Sequence, residues 1–299
     1  MRVQVPPPAF KNRLNLIFNF LIFNSIHRKI TLFLIIQNQY LVSENLKVFI
    51  SIPSDVYYQK IINIKFDPEP QEILKEEWGQ KIACFKIEKL KPYEQRIIKM
   101  QVEAEFDLNE FRVFKNGEDF SLYLSDDPYL RLDSEILKKI AIKLKKRAMD
   151  DFDYMKLVLD TISKSLYYNI DGKWDDAEKT FLQGHGSCSE YSFLFSSLMR
   201  LGGIPTRFIG ASVERQNGVD FTFHRWVEVY INGKGWIPVD PQFYDTPESK
   251  GKFFPDEKRL FLITTIEPGT NSYLKEWYNY KVEGKKGIIK IKAFFKWEK

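Results

Sequence analysis

The segment "GHGSCSEYSFLFSSLMRLGGIP", residues 184–205, sets a lone cysteine between a glycine-rich approach and a long apolar run. Tyr191, Phe195 and Leu198 or Met199 recur at helical spacing, as do Leu194 and Leu198. "LGGIP" closes the run with cap-forming glycines and a proline that cannot continue a helix. The spacing predicts a buried helix opening near Cys188, with Gly184 and Gly186 freeing the backbone of the approach. Unpaired amides and the helix dipole put partial positive charge at such a tip, favouring a thiolate over a thiol. A deprotonated sulfur is a strong nucleophile. Free cysteine is also a common core residue, so the sulfur needs a second group before it signifies chemistry.

That group must come from three histidines. His27 lies in β-rich sequence and reads as surface, and His185 shares the loop of Cys188, where chain geometry hinders an in-line imidazole. His224 opens "HRWVEVYINGKGWIPVDP", residues 224–241. Here His224, Trp226, Glu228 and Tyr230 alternate with Val227, Val229 and Ile231, "NGKG" signals a turn, and "WIPVD" returns as the partner strand. A three-residue loop, Asn232–Lys234, pairs Ile231 with Gly235 and sets Trp226 opposite Asp240. His224 and Asp240 are then diagonal neighbours, roughly 7–8 Å apart at the backbone, within reach of a carboxylate–imidazole bond. A two-residue loop would turn Asp240 to the other face. With the three-residue loop, Asp240 orients His224, and His224 serves Cys188 as base.

Composition narrows the alternatives. The chain has 299 residues, 44% hydrophobic and 15% aromatic, enough for a substantial core. A net charge of +5 from 45 basic and 40 acidic side chains, without a dense basic tract, argues against nucleic-acid binding. Two cysteines, Cys84 and Cys188, make neither a disulfide framework nor a four-thiolate zinc site. The acidic "DGKWDD" loop lacks the ligand pattern of a calcium loop. No cofactor or metal is expected.

From residue 14 to about 106 short β-rich runs alternate with turn residues, as in an antiparallel sandwich. The apolar start, "RLNLIFNFLIFNSIHRKITLFLII", is interrupted by asparagines and by His27, Arg28 and Lys29. Two buried strands suit it better than a membrane span or signal segment, so no stable membrane insertion is expected. A cytoplasmic location is expected, with export or anchoring left open by that stretch. Cys84 shares a strand face with Ile82 and reads as core. Residues 107–132 read as a connecting segment between a 1–106 sandwich domain and a 133–299 catalytic domain. Within the latter, "DSEILKKIAIKLKKRAM" predicts a helix capped by Asp133 or Ser134 with an Ile136, Ile140, Leu144 stripe. "DYMKLVLDTISKSLYYN" predicts a second helix, and the C-terminal "GIIKIKAFFKW" one more strand that closes a sheet.

The combination resembles the transglutaminase-like superfamily, over roughly residues 150–245. It carries Gly186, Cys188, Glu190 and Tyr191 of the nucleophile motif, then Gly203 to Arg207 as the GIP-x-R segment. His224, Trp226 and Glu228 follow, then Gly235, Trp236, Asp240 and Pro241. The resemblance implies an α+β, papain-like core, with a nucleophile helix packed on an antiparallel sheet and the β-sandwich preceding it. By motif position it implies the catalytic triad Cys188, His224 and Asp240, the same residues selected above. Ser187 departs from the charged residue many relatives carry there.

The Cys188 amide is the first candidate oxyanion donor. Gln183 is a second, balanced against an ordinary loop role, while Trp174 and Trp236 are candidates to line an acyl-binding cleft or to fill core. The expected reaction is thiol-dependent acyl transfer at an amide or peptide carbonyl through a Cys thioester, with hydrolysis favoured. Protein-glutamine transglutamination is the alternative, and a non-enzymatic binding or scaffold module the competing class. The expected partner is a protein or peptide substrate. A peptide N-glycanase is disfavoured by the cysteine count, and a calcium-activated animal-type enzyme by the length.

Overall fold

The computed structural model describes residues 25–107, 120–170, 172–255, 260–270, 272, 274–285 and 287–299. The expected strand before residue 25 and much of the 107–132 connection lie outside them. Six strands come first: β1 (Ser25–Asn38), β2 (Ser43–Ile52), β3 (Gln59–Asp67), β4 (Glu72–Lys75), β5 (Lys81–Leu90) and β6 (Gln95–Asp107). The helices α1 (Ser121–Leu124), α2 (Glu135–Lys145) and α3 (Asp151–Ser165) follow. Next are β7 (Tyr167–Tyr168), α4 (Ala177–Gln183), β8 (His185–Gly186), α5 (Cys188–Leu201) and β9 (Thr206–Val213). The chain continues through β10 (Val219–Asp220), β11 (His224–Ile231), β12 (Gly235–Val239) and α6 (Pro241–Tyr244). It ends with β13 (Phe261–Glu267), β14 (Tyr278–Val282) and β15 (Ile289–Glu298).

Two sheets, β10-β15-β1-β6-β3 and β14-β2-β5-β4, face each other as the sandwich. Alternation dictates their inner faces: Ile30, Leu32, Leu34 and Ile36 of β1 are buried, with Thr31 and Phe33 between them only partly covered. Cys84 is buried beside Phe49, Ile82 and Leu274, as its strand face predicts.

The sandwich is not wholly N-terminal. β15 pairs antiparallel along β1 from Lys29↔Glu298 to Asn38↔Ile289, and β14 adds to the edge of β2. The expected 133–299 catalytic unit therefore loses its last two strands to the sandwich. The cause is edge satisfaction: without β15, one whole side of β1 would present unpaired backbone groups. "GIIKIKAFFKW" is a strand, and the sheet it extends is this one.

The third sheet, β12-β11-β9-β13, is the wall between two cores. One face sends Ile209, Ala211, Trp226 and Ile263 into the sandwich core. The other sends Phe208, Val227, Val229 and Val239 against α2, α3 and α5. α5 is buried from Cys188 to Arg200, as its two apolar rows require. α2 is capped by Ser134, whose Oγ accepts from Leu137 N at 3.2 Å. Its buried row is Leu137, Ala141 and Leu144 rather than the expected Ile136, Ile140, Leu144; Ile136 is exposed. α5 lies against the Leu137 side, and lysines flank the other. Among the described residues no helix is long and apolar enough to cross a membrane.

Candidate active site

Cys188 is the first residue of α5, and its placement follows from the local sequence. Ser187 is the N-cap in a capping box: its side chain accepts from the first turn, and its own amide donates to Glu190 Oε2 at 2.8 Å. The buried Glu190 also accepts from Asp175 N at 3.2 Å, tying the cap to the loop before α4. Gly186 is required by close approach, since a Cβ there would lie 2.5 Å from Glu190 Cβ. Among the described residues, no acceptor is recorded for the Cys188 amide.

The β11–β12 hairpin has the three-residue loop. Ile231 faces Gly235 and Val227 faces Val239, the register that brings Asp240 back beside the start of β11. His224 Nε2 lies 2.6 Å from Asp240 Oδ2. Asp240 is held from both sides: its N–H donates to Phe253 O at 2.7 Å, and its Oδ1 accepts from Phe243 N at 3.0 Å as the cap of α6. α6 is in turn tied to α5 through Tyr191 Oη–Asp245 Oδ2 (2.7 Å) and to α3 through Tyr244 Oη–Asp160 Oδ1 (2.7 Å).

Cys188 and His224 meet at the end of α5. The Cys188 thiol donates weakly at 3.8 Å to the carbonyl of Phe223, the residue before His224, and both side chains line the same cavity. With Nε2 engaged by Asp240, Nδ1 is the ring nitrogen left for the sulfur. Burial pulls the His224 pKa down, but the Asp240 charge, its hydrogen bond and the adjacent Cys188 outweigh it and raise the value to about 10.

All three side chains line one cavity of about 350 Å³. Its other polar walls include Tyr168, Arg215, Thr222, Gln242 and Glu248. The sulfur-bearing residue is 7% exposed, so it is buried in bulk yet open to this space.

The substrate candidates fare differently. Gln183 does not line the cavity; as the last residue of α4 it turns its amide to His185 O at 3.0 Å. Trp174 stacks under the Arg225 guanidinium at 4.4 Å, and its edge meets Tyr129 and Phe193. Trp236 is 2% exposed and packs on Arg207 at 4.3 Å, away from the cavity. None of the three is among the residues that line this cavity. Tyr168 was missed because "LYYN" reads as the tail of a helix; instead the helix stops at Ser165 and β7 pairs with β8. Burial and the nearby Cys188 raise the Tyr168 pKa, so its hydroxyl stays protonated.

A nucleophile-bearing helix packed on an antiparallel sheet, with His and Asp delivered by a hairpin, defines the papain-like class of thiol enzymes. Residues 138–241 match the model of the transglutaminase-like superfamily. The chain is 26% identical over 158 residues to the uncharacterised protein YebA of Bacillus subtilis (strain 168). That stretch is 45% of this chain and spans about a fifth (21%) of YebA. In fold it is similar to a candidate cysteine protease from Cytophaga hutchinsonii, with TM-score 0.68 and 15% identity, over 92% of this chain and 91% of that one. The periplasmic domain of TgpA from Pseudomonas aeruginosa aligns over 74% of this chain and 90% of that one, with TM-score 0.40 and 14% identity.

Proposed function

We propose that the protein is a thiol hydrolase that cleaves amide or peptide bonds through a thioester on Cys188. The observation that carries the reading is the convergence of Cys188, His224 and Asp240, from a helix tip and a hairpin, on one open cavity. In this reading Cys188 Sγ attacks the carbonyl carbon while His224, protonated and held by Asp240, gives its proton to the leaving amine. The C–N bond breaks, an S–C bond forms, and the amine departs. Water then attacks the thioester, passing one proton to His224. The acid leaves and the sulfur is regenerated.

The Cys188 amide, at the tip of α5, is the first donor to the oxyanion. The Tyr168 hydroxyl is the second, in the role first considered for Gln183; its support is its place on the cavity wall and its protonated state. Hydrolysis is preferred to amine transfer because the cavity walls are polar and open, and transamidation requires a site that keeps water away.

The test is incubation with a mixed, quenched-fluorescent peptide library and a fluorescent primary amine, wild type beside Cys188→Ala. Cleavage lost in Cys188→Ala is expected. Amine incorporation without cleavage would replace hydrolysis by transglutamination. No turnover, with Cys188 and Cys84 alkylated equally slowly, would favour a binding module.

A further inference from the structure

Arg225, between His224 and Trp226, points into the row otherwise filled by Val227, Val229 and Ile231. It is 2% exposed. Its guanidinium lies over four rings: Trp174 at 4.4 Å, Phe223 at 5.1 Å, Phe193 at 5.4 Å and Phe208 at 5.8 Å. Nη1 donates to Ser189 Oγ at 3.1 Å, one residue beyond the sulfur, and Nη2 donates to Lys275 O at 3.0 Å. Ser192 Oγ, bonded to Cys188 O at 2.7 Å, lies 3.4 Å from Arg225 O. The first turn of α5 is thus fastened to the start of β11 through one residue.

A buried guanidinium is costly to desolvate, and an apolar residue of similar volume is often neutral or stabilising in its place. The titratable groups whose charge acts on it are Glu267 of β13, Cys188 and Glu190 of α5, and Glu276 before β14. No hydrogen-bonded carboxylate neutralises it among the described residues: its recorded side-chain partners are a hydroxyl and a carbonyl. Its positive field therefore reaches the helix tip.

We propose that Arg225 is a positioning residue of the cysteine site: it clamps the sulfur-bearing turn to the histidine strand and holds fixed positive charge behind the reacting atom. This rests on the thiol-hydrolase reading above. It adds a third element to the helix dipole and the imidazolium.

The test is the rate of iodoacetamide labelling at Cys188, followed by mass spectrometry from pH 4 to 9, in Arg225→Met, Arg225→Lys and Ser189→Ala. For Arg225→Met, retained thermal stability is expected, with the acid limb moved up by about one pH unit and labelling below that limb slowed roughly tenfold. Arg225→Lys restores the limb but only part of the rate, because the fork is lost. Ser189→Ala keeps the limb and slows labelling a few-fold. A folded Arg225→Met whose profile overlays wild type overturns the proposal. If that variant does not fold, wild-type labelling in Ser189→Ala overturns the clamp. Wild type that labels at the Cys84 rate throughout refutes the parent reading, and the positioning role of Arg225 falls with it.

Discussion

His224 and Asp240 stand 16 residues apart in sequence, yet Nε2 and Oδ2 are 2.6 Å apart because a three-residue loop fixes the hairpin register. The contact raises the His224 pKa from 6.5 to about 10 against the pull of burial. A group raised in the folded state adds stability that is complete below its unfolded pKa and is lost as pH climbs through the folded one. The His224–Asp240 pair should therefore stabilise fully below about pH 6.5 and lose its contribution by about pH 10. Peptide cleavage, which uses the imidazolium as acid, should show an alkaline limb in that upper region. Asp240→Asn keeps the α6 cap but should bring the limb down by more than one unit. Asp240→Ala should also cost about 1 kcal/mol from the lost cap. An unmoved limb in Asp240→Asn would mean that the carboxylate does not govern the proton.

Gly186→Ala tests the approach to the nucleophile. The new Cβ would meet Glu190 Cβ at 2.5 Å, and neither atom is the free end of a long side chain. The capping box must open, costing about 1–2 kcal/mol for the cap alone. Urea unfolding should show the loss, and Cys188 labelling should slow alongside it. Unchanged labelling would show that the cap does not set the position of the sulfur.

Tyr168→Phe keeps the ring and removes the hydroxyl of a residue that lines the cavity. Loss of one oxyanion donor should lower kcat roughly a hundredfold to a thousandfold with KM nearly unchanged. Gln183→Ala, acting away from the cavity, should leave kcat within about twofold. The reverse pattern would return the role to Gln183.

The hairpin and the nucleophile helix were legible because local signals agreed: a turn tetrapeptide, strict alternation, two helical rows and a capping pair. The return of β14 and β15 to the sandwich was not, since an alternating strand does not encode which distant edge it joins. Nor were the cavity walls, which gather Tyr168 from β7, Thr222 from the loop between β10 and β11, and Gln242 from α6. Arg225 did leave a trace. A charged residue in a row of valines breaks the apolar pattern at the position next to His224, and that break is a readable sign of a buried partner.

Arg207 bonds Glu228 Oε2 through Nε at 2.7 Å and Nη2 at 2.6 Å, and Tyr57 from the sandwich donates to the other oxygen. The trio joins the sandwich to the third sheet, with Glu228 1% exposed. Arg207→Met leaves a buried carboxylate without its cation, which should cost about 3–5 kcal/mol. The midpoint of urea unfolding should drop accordingly, and the double variant with Glu228→Gln should recover much of the loss. If the double variant is no better than the single, packing on Trp236 rather than charge holds the junction.

Glu267, 2% exposed at the end of β13, titrates near pH 7: burial raises its pKa from 4.5, more than Arg225 lowers it. The folded chain thus keeps a proton that the unfolded chain has lost, so stability should fall as pH rises from about 4.5 to 7. The shift corresponds to about 3 kcal/mol across that window. Glu267→Gln holds the neutral form at every pH, so its stability should fall less than that of wild type over the same range and exceed it at pH 8. Parallel stability curves for the two proteins, measured by urea unfolding at intervals of half a pH unit, would mean that Glu267 is ionised in the fold, with Arg225 as its counter-ion.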